Sequence, residues 1–154
     1  MNVREFLQQQ HVPFDVLPHR STHSAQGLAQ SLDIPGENVA KSVLLKVDGE
    51  FMLAVIPASH QISMQLLKSG LLAKHVELAT EDELAEVFRD CERGVAPPFG
   101  RSYGIRTLVD YSLTEDEHIV FEANSHDEAI YLRYQDYAKI ERPIVRSFGC
   151  DEIA

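Results

Sequence analysis

Apolar residues recur along this chain with two periods, one near 3.6 residues and one of two, and the changes of period divide it into elements. Val3, Phe6 and Leu7 share one face of a short opening helix, broken at His11-Val12-Pro13, and residues 14–17 read as a first short strand. After the polar stretch 18–23, Ser24 suits an N-cap for a helix through Leu28 to Leu32, stopped at Asp33-Ile34-Pro35-Gly36. The clearest signal follows. Residues 40–47 and 50–56 are strand-like apolar runs separated by Asp48-Gly49, a pair suited to a two-residue hairpin turn.

Ile62, Met64, Leu66, Leu67 and Leu71 suggest a helix ending near Gly70, and residues 76–79 a short strand. Thr80, with Glu83 three positions on, predicts a capping box opening a helix that turns Leu84, Val87 and Phe88 inward. That helix must end by Gly94. The stretch Gly94-Val95-Ala96-Pro97-Pro98-Phe99-Gly100 then reads as a rigid loop, because its prolines fix φ and lack N–H groups while its glycines permit unusual backbone. Its own N–H groups either close a turn or line a site for a carbonyl or oxyanion. Residues 101–104 predict a turn, 105–109 a strand, and 110–113 a turn or short helix. Strands at 118–123 and 128–133 form a second hairpin around the polar turn 124–127, and a last helix at 134–140 stops near Pro143. The tail beyond carries no pattern. With no repeat, linker or low-complexity tract, residues 1–154 read as one domain.

Composition narrows the class. A 154-residue chain that is 44% hydrophobic and 25% charged has the make-up of a soluble domain able to bury a core. Neither a signal-peptide h-region nor a membrane-length apolar run is present, so a cytoplasmic location and no membrane partner are expected. Cys91 and Cys150 are too few for a disulfide framework and too isolated for a zinc site. A net charge of −10 argues against indiscriminate nucleic-acid binding, and no DNA partner is expected.

The chemistry-bearing residues are few. Phosphate-loop, dinucleotide and G-x-S-x-G signatures are missing, and no cofactor or metal is expected. Cys91 has no histidine marked as a partner and reads as a structural thiol. His19 and His23 have the spacing of two helical metal ligands but fall in a loop without a third ligand nearby. Strand alternation puts Lys41 on the face of Val43, Leu45 and Val47, where an ammonium either snorkels at the strand end or projects into a pocket towards an anionic or carbonyl-bearing ligand.

Taken in order, His19 after a short strand, Ala40-Lys41-Ser42-Val43-Leu44-Leu45, the Gly94–Pro98 part of the loop and Phe121-Glu122-Ala123-Asn124-Ser125-His126 resemble the YbaK/prolyl-tRNA synthetase-associated family of aminoacyl-tRNA editing domains. Asn124 stands where the family usually has glycine. The resemblance implies an α+β fold with a mixed, curved, barrel-like β-sheet flanked by helices. It also implies a deacylase that cleaves the ester between an amino acid and the terminal ribose of tRNA, with water attacking and the substrate's 2′-hydroxyl able to assist. Lys41 would meet the terminal phosphate or orient the aminoacyl group, while backbone N–H groups of Gly94 and Ala96 would hold the oxyanion. His19, Pro98, Phe99, Asn124 and His126 would line the substrate pocket, with a polar-turn role for His126 equally open. The partner would be the acceptor end of an aminoacyl-tRNA, helped by a synthetase or elongation factor. By analogy the amino acid would be small (alanine, serine, threonine or cysteine), most often on proline tRNA. Two rival readings are a catalytically silent binding module of the same fold, kept open by Asn124, and a metal-dependent hydrolase using His19 and His23.

Overall fold

The computed structural model describes residues 1–22 and 24–151. In chain order these form α1 (Val3–Gln9), β1 (Phe14–Pro18), α2 (Ala25–Leu32), β2 (Ala40–Val47), β3 (Glu50–Pro57), β4 (His60–Ile62) and α3 (Met64–Leu71). There follow β5 (Val76–Leu78), α4 (Glu81–Val87), β6 (Arg106–Asp110), β7 (His118–Glu122), β8 (Glu128–Arg133), α5 (Tyr134–Glu141), β9 (Ile144–Arg146) and β10 (Gly149–Asp151).

The local signals translate directly into structure. Asp48 and Gly49 take φ values of 49° and 87°, and the β2–β3 register opposes Val47 to Glu50, a two-residue turn. Ser24 Oγ caps α2 by accepting the Gly27 N–H at 2.9 Å. Thr80 and Glu83 complete their reciprocal box at 3.1 and 2.9 Å.

Three sheets result: β1-β8-β7, β5-β2-β3-β6-β9, and the pair β10-β4. The five-stranded sheet is mixed, with β3, β6 and β9 parallel and the rest antiparallel. β3 sits at its centre with both faces covered, which is why its apolar run is continuous rather than alternating. Leu53 and Val55 enter the main core, with Leu7, Phe99, Phe121, Ile130 and Tyr137 from α1, the 94–100 loop, the three-stranded sheet and α5. Met52, Ala54 and Ile56 point the other way, onto a second core with Leu67 of α3 and Phe148. The α+β class, the mixed sheet and the flanking helices are as expected. Among the described residues the sheets do not close into a barrel, since β5 and β9 end the larger sheet as open edges. No helix among these residues is long and apolar enough to cross a membrane.

Two segments differ from the sequence expectation. Ile62 belongs to β4 rather than to the following helix, and the patternless tail supplies β9 and β10. Asp110 fastens that tail. Its Oδ1 accepts the N–H groups of Phe148 and Gly149 at 2.9 and 2.8 Å, and its Oδ2 accepts the Ser112 N–H and hydroxyl. Gly149 is required by closeness, because a Cβ there would lie 3.1 Å from the Asp110 carboxyl carbon. Burial works against the Asp110 charge, but these donors outweigh it and hold the carboxyl below its usual value. Asp110→Ala strands the N–H groups of Phe148, Gly149 and Ser112 and is expected to cost about 3 kcal/mol, read from chemical unfolding at pH 7. Because the folded pKa is depressed, Asp110's contribution is complete above the unfolded value of 3.8 and fades as pH falls through the folded one. The wild-type and Asp110→Ala stabilities are therefore expected to converge in acid.

Candidate active site

Among the described residues, the strand pairing that links the two larger sheets is one isolated parallel bridge, Val39 to Val120. From it both segments run in the same direction, into Ala40-Lys41-Ser42 on one side and Phe121-Glu122 on the other. β5 pairs only with Leu45, Lys46 and Val47, so the start of β2 carries no β5 residues beside it. A cavity of about 400 Å³ opens there. Its other walls include the N-cap Ser24 and first residues Ala25 and Gln26 of α2, together with Gly94, Ala96 and His126. Four of the expected residues, Lys41, Gly94, Ala96 and His126, thus surround one space.

The α2 N-terminus and Lys41 both bring positive charge to the wall of this cavity. N–H groups in the first turn of a helix have no intrahelical acceptor, and the helix dipole adds to the lysine charge. The loop from 94 to 100 supplies a different kind of donor. Val95 N–H bonds to Glu92 carbonyl at 2.9 Å, Phe99 N–H to Pro97 carbonyl at 2.8 Å, and Gly100 N–H to Thr107 Oγ1 at 3.1 Å. The N–H groups of Gly94 and Ala96 have no acceptor among the described residues. Gly94 sits at φ 89°, a left-handed conformation that favours glycine.

Pro98 and Phe99 have a place other than the pocket lining expected for them. Phe99 is fully buried, its ring 5.4 Å from Phe6, 5.6 Å from Phe121 and 5.5 Å from Tyr137. The Tyr137 hydroxyl donates to the Pro98 carbonyl at 2.7 Å. Both residues hold the loop from the core side, so that the 94–96 backbone forms the wall.

His126 supports that wall from behind. Its backbone N–H donates to Glu92 Oε2 at 3.0 Å, its carbonyl accepts the Thr22 N–H at 3.2 Å, and its Nε2 donates to the Arg93 carbonyl at 2.7 Å. The ring lies 3.5 Å from where a Cβ on Gly94 would sit. On its other side, Nδ1 is 3.0 Å from Glu122 Oε2, an ion-pair contact off the ideal hydrogen-bond direction. Burial pushes the Glu122 carboxyl up to about 7, with the His126 charge working the other way. For His126 burial opposes the charge, but the Arg93 carbonyl and the Glu122 and Glu92 carboxylates outweigh it and raise the imidazole pKa. Near neutrality the two groups therefore compete for a proton.

Asn124 and His19 do not line the cavity. Asn124 Oδ1 accepts the Val3 N–H at 2.9 Å, and its Nδ2 donates to the Met1 carbonyl at 2.8 Å and to Cys91 Sγ at 3.4 Å. The amide ties the start of the chain to the turn, and Asn124 does not use positive φ. His19 N–H bonds to the Asp127 carbonyl at 2.9 Å, and its Nδ1 lies 2.7 Å from the Arg20 carbonyl. Cys91 is half-buried, and burial pushes its thiol up, away from thiolate chemistry. His23 lies outside the described residues, and no group of three or more His, Cys, Asp or Glu among the described residues is placed to hold a metal ion. Sequence reasoning overlooked Glu122 as a cavity residue. Its one signal was the four-residue spacing to His126.

Fold and cavity together define an α+β domain whose cleft suits an anionic, carbonyl-bearing ligand. Comparison with known proteins narrows this class. The family model described as "Aminoacyl-tRNA editing domain" matches residues 19–140. The proline–tRNA ligase of Staphylococcus saprophyticus is 30% identical over 112 residues, covering 73% of this chain and 19% of the ligase. The corresponding ligase of Staphylococcus aureus strain Newman is 26% identical over 140 residues, covering 91% of this chain and 23% of the ligase. The chain thus spans about a fifth of the length of these curated relatives. A crystal structure described as a proposed trans-editing enzyme for prolyl tRNA synthetase superposes with a TM-score of 0.83 at 14% identity, covering 98% of this chain and 95% of that one. At that identity the structural likeness speaks for the fold alone. The chain belongs to the aminoacyl-tRNA editing domain family.

Proposed function

We propose that this protein is a trans-acting deacylase that hydrolyses the ester of a small amino acid misattached to tRNA, with proline tRNA the leading carrier. The observation that carries the reading is the convergence of Lys41 with the unpartnered Gly94 and Ala96 N–H groups on one cavity. A phosphate of the terminal adenosine would meet Lys41 and the α2 N-terminus. That places the ester carbonyl towards Gly94 and Ala96, whose N–H groups stabilise the charge that develops when water adds to the carbonyl carbon. Collapse of the tetrahedral intermediate breaks the bond from carbonyl carbon to ribose oxygen. The ribose hydroxyl regains a proton, and amino acid and uncharged tRNA leave. The relatives' synthetase setting makes a synthetase the natural partner for capture of the released tRNA. The cytoplasm, where tRNA is charged, is the corresponding location.

Incubation with a panel of tRNAs carrying correct and incorrect small amino acids is expected to give selective hydrolysis of one or two mischarged species. Binding without hydrolysis of any of them would instead support a silent recognition module.

A further inference from the structure

Glu122 has no role in the reaction just described, yet it is a largely buried carboxyl on the wall of that cavity. A carboxylate beside an anion site is unfavourable unless a cation meets it. His126 Nδ1 lies 3.0 Å from the carboxylate, and the Arg93 carbonyl holds the opposite side of its ring. The cavity wall therefore carries charge of both signs, from Lys41 and the α2 N-terminus and from Glu122, with Glu92 accepting the His126 N–H beside it.

An aminoacylated ribose carries both signs as well. Its phosphate is anionic, its ester carbonyl lies between, and its α-ammonium is one carbon beyond the carbonyl. Gly94 abuts the His126 ring, and the far side of that ring meets Glu122. An ester held at the Gly94 N–H thus shares the cavity wall with Glu122, the carboxylate within it for an α-nitrogen to meet. We propose that Glu122 accepts the free α-ammonium of the aminoacyl group and makes the site selective for aminoacyl esters over N-acylated ones. This rests on the deacylase reading above. Burial, which favours protonated Glu122 in the empty cavity, also makes an arriving cation more effective, because ion pairing is stronger away from water. An N-acylated ester, as on initiator or peptidyl-tRNA, brings no cation and leaves the carboxyl with His126 alone.

The test compares one tRNA carrying an amino acid with the same tRNA carrying its N-acetyl derivative, using wild type, Glu122→Gln and Glu122→Asp. The ratio of the two rates does not depend on how much variant is folded. Wild type is expected to favour the free amine, and Glu122→Gln to lower that ratio roughly 30-fold, the scale of a lost buried charge pair. Glu122→Asp is expected to retain part of the preference. A ratio unchanged in Glu122→Gln, with both substrates slowed alike, would overturn the inference and mark Glu122 as a proton acceptor or structural group. Hydrolysis of no tRNA by wild type would defeat the deacylase reading instead. In that event, equilibrium binding of 3′-deoxy-3′-(L-alanylamino)adenosine against its N-acetyl form reads the same ratio, and a wild-type protein without preference would overturn the role of Glu122.

Discussion

Replacing Lys41 with alanine is expected to slow deacylation by roughly 100-fold or more, the scale of deleting one partner of a desolvated charge pair. Lys41 lies near the start of β2, opposite Ile56, where the strand leaves the second core and enters the cavity. Among the described residues its side chain is the lysine or arginine on the cavity wall, alongside the α2 N-terminus. Removal leaves the substrate phosphate with only helix N–H groups and one fewer fixed positive charge. Lys41 is half-buried and outside the apolar clusters, so folding should be nearly unaffected. Single-turnover hydrolysis beside a thermal melt makes the check. A variant that melts normally and hydrolyses at the wild-type rate would remove Lys41 from the site.

Gly94→Ala is expected to lower kcat by about 100- to 1000-fold, the loss seen when one oxyanion donor is withdrawn. The added methyl does not clash, because its nearest neighbours, Nε2 and Cε1 of His126, lie 3.5 and 3.6 Å away. The cost comes from the backbone. At φ 89° an alanine is strained, and relief of that strain rotates the peptide and moves the N–H away from the carbonyl. Ala96→Gly is the matching control, since it keeps its N–H and a permitted conformation, and is expected to stay within about tenfold of wild type. Equal losses in both variants would assign the effect to loop flexibility rather than to a displaced donor.

The elements legible in the sequence are those fixed by short-range chemistry. Asp48-Gly49 sets its own turn, Ser24 and Thr80 set their own caps, and the β2–β3 run declares itself by apolar continuity. β9 and β10 were illegible because nothing within three residues holds them. Their anchors are β6 for β9, β4 for β10, and the Asp110 carboxylate, all more than thirty residues away. The site was legible in its parts and less so in its arrangement. Lys41, Gly94, Ala96 and His126 meet as the motif order suggested. Pro98 and Phe99 share the loop's sequence but turn to its core side, because an aromatic between prolines and glycines finds its burial among Phe6, Phe121 and Tyr137. Asn124 stands where a glycine is usual, and only the structure shows that its side chain anchors Val3 and Met1. Glu122 was passed over because a carboxylate at a strand end ordinarily faces solvent.

The Val39–Val120 bridge has a bearing on how such a site changes its diet. Both valines are fully buried and neither lines the cavity, yet the two walls diverge from the point where they touch. They act as the pin of a pair of jaws. A methyl more or less at either position is expected to tilt one jaw against the other and reset the aperture. On the proposed deacylase reading, the preferred amino acid is expected to change through substitutions in the core, with every residue that meets it left unchanged.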